Sequence, residues 1–289
     1  MRAGSSCGSA AAPVRSALYV PGNRPELFDK AAAGPADVML LDLEDAVPLA
    51  DKEFAREQVA SWLSGRPAGR SIWVRVNPGE FGHDDLRAVA LPAVSAVCLA
   101  KTESARQVRD AVRVLHDHER VPDRIGVCPL LESATAVLDA RTIAAAPRVA
   151  RLQLGEADLC AELGVTPGAD ERELLWARSQ VVLAAAAAGI APPLGPVRTD
   201  FRDLETLRES TIALARMGFR GRACVHPSQV PVVNEVFTPT TAELDRARAV
   251  VARFEDAAGG VVLDEDGRMV DLAVIRQAHR LLGSVGGQR

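Results

Sequence analysis

Short apolar runs alternate with longer amphipathic stretches along most of the chain. The runs that have the length and composition of buried strands are residues 16–20, 37–43, 72–76, 94–99, 125–131, 149–154, 194–197 and 222–225. A helical pattern separates each run from the next, and this alternation is typical of a parallel sheet. Eight such units in about 225 residues match the size of a (β/α)8 barrel. The pattern therefore predicts an α/β fold, a TIM (β/α)8 barrel with a C-terminal helical extension.

The same pattern divides the chain of 289 residues into three parts. Residues 1–14 are rich in Gly, Ala and Ser, and we expect a disordered tail. Residues 15–238 form the barrel, and residues 239–289 form the helical extension. The main alternative is a doubly wound open sheet, which requires a Gly-rich phosphate turn after its first strand. The turn here, Pro21-Gly22-Asn23-Arg24, lacks the G-x-G-x-x-G pattern.

Composition excludes several classes of partner. The net charge of −4 gives no reason to expect nucleic acid or an anionic membrane. No apolar run approaches the roughly 20 residues of a membrane span, and the N-terminus does not resemble a secretory signal. The five cysteines form no C-x-x-C pair and resemble small core residues. We therefore expect a cytoplasmic protein.

Acidic residues follow two of the apolar runs directly. The run that ends at Leu154 continues with Gly155, Glu156 and Asp158, and an earlier run ends at Glu132. If the two strands are neighbours, Glu132 and Asp158 converge on one point, and hard oxygen ligands of this kind suit Mg²⁺ or Mn²⁺. The alternative for each acid alone is that it caps the following helix.

Polar residues end most of the other predicted strands as well. Because the active site of a barrel lies at the carboxyl ends of its strands, one rim would carry several acids and at least two cations. These strand-end residues are Glu44, Asp45, Arg75, Asn77, Lys101, Glu132, Glu156, Asp158 and His226. The acids outnumber the cations, as expected if a divalent metal completes the balance.

The cations of this rim each allow two interpretations. Arg75 lies within an apolar strand, where it grips a substrate carboxylate through two hydrogen bonds or forms an internal ion pair with Glu44 or Asp45. Both can hold at once if the acids orient the arginine, and we favour substrate binding over a purely structural role. Lys101 either forms a Schiff base or, as we favour, pairs with a rim acid. His226 is either a base or an orienting residue.

Three further charged residues lie away from the predicted strand ends. Arg24 and Lys30 belong to the first helical stretch, where single basic residues are most often solvated. Asp271 precedes the last helical stretch. A surface acid that caps this helix is the interpretation that the residues alone favour.

Taken together, the motifs resemble the citrate lyase beta-subunit-like group of the HpcH/HpaI aldolase family, from residue 15 to about residue 282. The stretches that carry the resemblance are LYVPGNRPE (18–26), LDLEDAV (41–47), VRVN (74–77), LESA (131–134), LGEADL (154–159), TDFRD (199–203) and VHPSQ (225–229). Several ordered motifs are specific for the family but not for a substrate.

The resemblance implies a Mg²⁺-binding TIM barrel that makes or breaks a carbon–carbon bond next to a carboxylate. It implies that Glu132 and Asp158 bind the metal and that Arg75 holds the substrate carboxylate. The residues implied to support the substrate beside Arg75 are Glu132, Gly155, Glu156 and Ala157. Glu44, Asp45, Lys101 and His226 would support this site.

The resemblance also implies partners. Many members act on acyl-CoA thioesters, which Arg24 and Lys30 would face here, and assemble as trimers or dimers of trimers. In related lyases of malyl-CoA type a Val-Asp near the C-terminus acts as acid or base in a neighbouring subunit's site. This motif matches Val270-Asp271, which reverses the capping interpretation of Asp271.

The expected function is Mg²⁺-dependent cleavage, or formation, of a carboxylate-bearing 3-hydroxyacyl-CoA such as malyl-CoA or citramalyl-CoA, with a 2-oxo acid as product. The alternatives are a thioester hydrolase, a citrate lyase beta subunit that needs a carrier protein, and a Schiff-base aldolase. Three departures from the family pattern leave the substrate open: Ala100 replaces a proline, residues 194–197 lack an acid, and Ala273 replaces a proline.

Overall fold

The computed structural model describes residues 13–67, 69, 71–256, 262–263 and 267–284. Its contacts divide the chain into one compact unit, Val14–Phe237, and a second unit that begins at Thr238. Of the expected tail, residues 1–12 lie outside the described residues. Val14 packs against the inner core of the first unit. No helix in the described part of the chain is both long and apolar enough to span a bilayer.

The first unit is a closed barrel of eight parallel strands in sequential order, and the expectation of a TIM barrel is confirmed. The strands are β1 Ser16–Pro21, β2 Val38–Asp42, β3 Ser71–Val76, β4 Val94–Leu99, β5 Gly126–Leu131, β6 Gln153–Leu154, β7 Leu194–Gly195 and β8 Gly221–Cys224. β1 pairs with β8 and closes the barrel.

Helices follow the strands and cover the outside of the barrel. They are α1 Phe28–Ala32, α2 Lys52–Ser64, α3 Gly79–Val89, α4 Ala105–His118, α5 Ala134–Leu138, α6 Ala140–Ala144, α7 Glu156–Leu163, α8 Leu175–Ala188, α9 Leu204–Met217 and α10 Gln229–Phe237. Their buried faces join the outward side chains of the strands in one large core.

Strand alternation creates a second, smaller core inside the barrel. Successive side chains of a strand point to opposite faces, so Val38 and Leu40 of β2 face inward with Trp73 of β3 and Cys98 of β4. By the same alternation, every second residue faces inward as far as the carboxyl ends of the strands. At these ends, polar residues take the place of apolar ones.

The second unit, described by itself, contains α11 Thr241–Asp256, β9 Val262–Leu263, β10 Met269–Val270 and α12 Leu272–Gly283. β9 and β10 pair in an antiparallel arrangement, and α11 packs against α12. Asp271 is the residue before α12.

Candidate active site

Lys101 lies among three acids at the carboxyl end of the barrel. Its Nζ is 2.7 Å from Glu44 Oε1 and 3.4 Å from both Asp45 Oδ1 and Asp158 Oδ2. Burial opposes a charge on this lysine, but the hydrogen bond that it donates to Glu44 and the surrounding carboxylates raise its pKa. Lys101 is therefore an ammonium ion that partly neutralises an acidic rim, and a neutral amine for Schiff-base chemistry is disfavoured.

The backbone of Lys101 makes a separate contact with Glu132. Lys101 has a φ of +50°, in the left-handed region that non-glycine residues rarely adopt. Its N–H donates to Glu132 Oε1 over 2.6 Å. One residue therefore fixes Glu132 through its backbone and contacts Asp158 through its side chain. Glu132 and Asp158 follow the neighbouring strands β5 and β6.

Glu132 is buried, with 7% of its surface exposed. Burial raises the pKa of its carboxyl to about 7, and the neighbouring acids Glu44 and Asp158 add to this rise. The hydrogen bond from Lys101 and the lysine charge act in the opposite direction. The raised pKa shows that the residues around Glu132 compensate the negative charge of its carboxylate only in part.

Gly155 makes room beside Glu132. A Cβ at this position would lie 2.8 Å from Glu132 Cβ and 3.1 Å from Glu132 Oε2. The N–H of Lys101 binds Glu132 Oε1. The space that Gly155 leaves open lies beside the other carboxylate oxygen, Oε2. Glu132 and Asp158 supply hard oxygen donors, and the excess of acids over cations around them favours a divalent ion. The described residues hold no group of three or more His, Cys, Asp or Glu arranged for a metal. The pair fits Mg²⁺ or Mn²⁺, with further ligands from outside the chain.

Arg75 is buried on the inner face of β3 and is held by carboxylates. Its Nε and Nη2 donate to the two oxygens of Asp42 at 2.7 and 2.6 Å, and its Nη1 is 3.0 Å from Glu44 and 3.2 Å from Asp45. Tyr19 lies under the guanidinium, 4.9 Å from ring centroid to Cζ. The internal ion pair with Glu44 or Asp45, which was the alternative to substrate binding, is present, and Asp42 is the main partner.

Asp42 was not among the expected site residues. It is the register partner of Arg75 across β2 and β3. The sequence feature that could have indicated Asp42 is its spacing from Glu44. Residues two positions apart in an extended chain lie on the same face. The choice of partner depends on the register between strands, which one sequence does not reveal.

Glu156 begins α7 beside the rim and forms its ion pair with Arg178. Arg178 of α8, almost fully buried, donates to both of its oxygens at 2.6 and 2.7 Å and also to Glu171 at 2.7 Å. Among the described residues no side chain caps α7, the helix that begins at Glu156. Backbone N–H groups at such a helix start attract anions. Arg178 is a further residue that the pattern did not single out, because it lies in an Ala-rich helix.

His226 and the early basic residues make no described hydrogen bond or ion pair with the acids around Lys101. His226 stacks on Phe201 with ring centroids 4.5 Å apart, and its Nδ1 lies 2.8 Å from Ser228 Oγ. Arg24 pairs with Glu26 at the surface, and Lys30 is exposed. The structure therefore brings together Glu44, Asp45, Arg75, Lys101, Glu132 and Asp158 and leaves these three residues outside that group.

Asp271 caps α12 in the second unit. Its Oδ1 accepts from the N–H groups of Ala273 at 2.8 Å and Val274 at 3.1 Å. These two hydrogen bonds lower the pKa of the carboxyl. In the described part of the chain Oδ2 has no hydrogen-bond partner. One oxygen therefore has a structural role, while the other remains available to a ligand.

Comparison with known proteins gives consistent results. The sequence model of the HpcH/HpaI aldolase/citrate lyase family matches residues 15–227. The citrate lyase subunit beta of Leuconostoc mesenteroides subsp. cremoris is 33% identical over 278 residues, which cover 93% of this chain and 92% of that protein. A (3S)-malyl-CoA thioesterase of Cereibacter sphaeroides is 34% identical over 275 residues, which cover 93% and 94%.

A solved structure is similar to this chain over almost its whole length. The crystal structure of protein CitE from Mycobacterium tuberculosis, in complex with magnesium, acetoacetate and coenzyme A, matches with a TM-score of 0.76 and 35% sequence identity. The match covers 96% of this chain and 99% of that chain. It extends beyond the barrel into the C-terminal residues.

Proposed function

Because the chain belongs to the HpcH/HpaI aldolase/citrate lyase family, we propose that it is a Mg²⁺-dependent carbon–carbon lyase. It cleaves a carboxylate-bearing 3-hydroxyacyl-CoA of malyl-CoA or citramalyl-CoA type into an acyl-CoA and a 2-oxo acid, or catalyses the reverse condensation. The observation that carries this proposal is the pair Glu132 and Asp158 at the barrel rim, with Lys101 bonded to one and 3.4 Å from the other. The magnesium in the CitE complex supports it.

Glu132 and Asp158 would hold the metal, which is Mg²⁺ with Mn²⁺ as a substitute. When bound, the ion acts as a Lewis acid towards the oxygens of the 2-oxo acid. Gly155 keeps the space beside Glu132 Oε2 open. Lys101 contacts Glu44 most closely and lies 3.4 Å from both Asp45 and Asp158, so its single charge leaves the rim acidic enough for a divalent ion.

The chain's own residues would bind and orient the substrate. The substrate carboxylate binds at the N–H groups that begin α7, with residues 155–157 alongside it. Arg75 supplies fixed positive charge, because Asp42 and its neighbours hold the guanidinium in one orientation. For direct contact with substrate, the half-exposed Asp45 must leave Nη1. Such fixed charge lowers the energy of an enolate that develops on the acyl carbon.

Asp271 of a neighbouring subunit would move the proton to and from that acyl carbon. Its Oδ2 is not used in the cap of α12, and the lowered pKa keeps the carboxylate ionised as a base. This role requires that residues 239–289 form an extension that reaches a second copy. Arg24 and Lys30, both exposed after β1, would contact the CoA phosphates.

The chain would therefore work as a homo-oligomer, a trimer or a dimer of trimers. Large apolar side chains are exposed on the helices that follow β5 and β6: Leu138 of α5, Leu163 of α7, and Trp176 and Leu183 of α8. Large apolar side chains exposed on neighbouring helices are typical of interfaces. We also propose a cytoplasmic location, with which the free cysteines of the described chain agree.

The test is turnover of the purified protein on malyl-, methylmalyl- and citramalyl-CoA, first with Mg²⁺ and then with EDTA. Release of both 2-oxo acid and acyl-CoA only with metal is the expected result. The family also contains a thioesterase relative, so hydrolysis is the second candidate. Free thiol without oxo acid would identify it, and activity only after addition of an acyl carrier protein would identify a citrate lyase beta subunit.

A pair of variants tests the assigned residues. Asp158→Ala removes a half-exposed ligand and should reduce metal-dependent turnover by at least about a thousandfold, with little change in the melting temperature. Glu209→Ala, which removes an exposed acid from α9, is the matched control and should retain full activity. Unchanged turnover of the Asp158 variant would refute the metal assignment.

A further inference from the structure

Tyr19 is a polar side chain in the inner core directly beneath the candidate site. It belongs to β1 and packs against the apolar residues inside the barrel, while the guanidinium of Arg75 lies over its ring. Its neighbours Leu40 and Cys98 are fully buried, but Tyr19 remains partly exposed. A residue of the inner core beside the guanidinium of Arg75 is therefore within reach of solvent.

Gln153 of β6 determines which hydrogen bonds the Tyr19 hydroxyl can make. Gln153 Nε2 donates to the phenol oxygen over 2.9 Å, and Gln153 Oε1 faces the Cys98 thiol at 3.9 Å. The phenol oxygen is thus an acceptor in this bond, and its own proton is not used. Among the described residues no acceptor takes that proton. Burial raises the pKa of the phenol well above its ordinary value, so the proton is retained.

Gln153, which binds the Tyr19 hydroxyl, lies two residues before Gly155 at the proposed metal site. Gly155 directly follows β6 with an extended backbone, and a Cβ at this position would point towards Leu130 of the inner core and Glu132. Gly155 therefore contributes no side chain above Gln153, two residues earlier. Gly155 in turn lies against Glu132. Two residues of a strand rise by about 6.6 Å, which a short oxo acid and one hydrogen bond can span.

We propose that Tyr19 is a specificity-determining residue whose hydroxyl donates a hydrogen bond to an anionic oxygen of the bound 2-oxo acid, with Gln153 orienting the hydroxyl. This inference rests on the proposed function, because it requires an oxo acid at the rim. The neutral amide and the phenol form the floor of the pocket, and Arg75 and the metal ligands form its wall. A ligand without an oxygen at this end loses the bond.

The first experiment compares wild type with Tyr19→Phe, which keeps the ring under Arg75 and removes only the hydroxyl. With pyruvate, glyoxylate and oxaloacetate as probes and Mg²⁺ present, we expect the Kd and KM of the oxo acid to rise roughly ten- to a hundredfold, the value of a hydrogen bond to a charged group. The kcat should change by less than about twofold, since the bond serves binding.

A double variant separates binding from folding. Tyr19→Phe leaves Gln153 Nε2 buried without a partner, which lowers stability, whereas Tyr19→Phe with Gln153→Met replaces both polar partners by apolar groups of similar shape. The double variant should recover the melting temperature but not the affinity for oxo acid. Recovery of both would mean that the pair is only structural and would overturn the inference.

The composition offers a direct probe, because Tyr19 is the single tyrosine of the sequence. Full-length protein labelled with 3-fluorotyrosine gives one ¹⁹F resonance, which pyruvate with Mg²⁺ should shift. This inference alone would be overturned if wild type binds an oxo acid but the ¹⁹F resonance does not shift and Tyr19→Phe has the same Kd. No calorimetric binding of any of the three oxo acids to unlabelled wild type would overturn the proposed function together with it.

Discussion

At the scale of single residues, the most constrained side chain of the site is Arg75. Its guanidinium is buried, yet three carboxylates contact it, and Asp42 alone takes two parallel hydrogen bonds. Removal of one partner from a buried ion pair is more damaging than replacement of the whole pair, because the remaining charge stays desolvated. The orientation of Arg75 therefore depends chiefly on Asp42.

The variant Asp42→Asn tests this dependence. It should lower the free energy of unfolding by about 3 kcal/mol, since the buried guanidinium loses the one carboxylate that accepts two of its hydrogen bonds. Asp45→Asn, a change of the same kind at a carboxylate that is 56% exposed, should lower it by less than about 1 kcal/mol. Urea denaturation measures both. Equal small losses would mean that Glu44 alone neutralises the guanidinium.

Glu132 makes the metal-free protein sensitive to pH. Its pKa in the folded state, about 7, lies above the ordinary 4.5, so the folded state binds this proton more tightly than the unfolded state. The contribution of Glu132 to stability is therefore greatest below about pH 4.5 and is lost as the pH rises through 7. Metal binding needs the carboxylate, so affinity should rise over the same range.

Titration calorimetry with Mn²⁺ between about pH 5.5 and pH 8 measures this effect. Affinity should increase by up to about tenfold per pH unit below 7 and level off above it. In the metal-free protein, Glu132→Gln should weaken the fall in melting temperature across this range. A flat affinity profile in wild type would contradict a raised pKa at Glu132.

At the scale of elements, the start of α7 depends on a glycine. Gly155→Ala would place a Cβ 2.8 Å from Glu132 Cβ, a contact that forces Glu132 to move. We expect a loss of about 1–3 kcal/mol in stability and at least about tenfold weaker Mn²⁺ binding. Gly65→Ala, at the end of α2 with no atom within 4 Å of the added Cβ, is the control. Calorimetry on both variants makes the comparison.

Most strands of the barrel could be predicted because each one is a short apolar run. β4 matches its prediction, whereas β6 contains only Gln153–Leu154 of the predicted residues 149–154. The helical pattern between the apolar runs 125–131 and 149–154 divides at Asp139 into α5 and α6, and α7 and α10 do not belong to any predicted helical stretch. Short helices over a barrel depend on tertiary packing more than on propensity.

The rim itself could also be predicted, since parallel strands bring their carboxyl ends to one edge. The pattern predicted that Glu132 and Asp158 would approach each other, and Lys101 contacts both. It did not predict Asp42 or Arg178 as partners of Arg75 and Glu156. Those pairs depend on register and on helix rotation, which a hydrophobic pattern does not contain.

At the scale of the whole molecule, the exposed apolar side chains of α8 predict an interface. Trp176→Glu combined with Leu183→Glu should convert the oligomer to a monomer in multi-angle light scattering, because burial of charge at an interface is unfavourable. Arg106→Glu on the exposed face of α4 is the matched control and should leave the mass unchanged. A monomeric wild type would refute the oligomer and the shared use of Asp271.

Closure of the barrel has a consequence for biosynthesis. β1 near the start of the chain pairs with β8, Ser16 opposite Arg222, and Arg222 N–H also bonds to Arg15 O. Contacts so distant in sequence form late, because loop closure must precede them. When residues up to β7 have left the ribosome, the nascent chain can form only an open sheet, with two unpaired edges. Chaperone capture should therefore peak on nascent chains that end before residue 221 and decline once β8 has emerged.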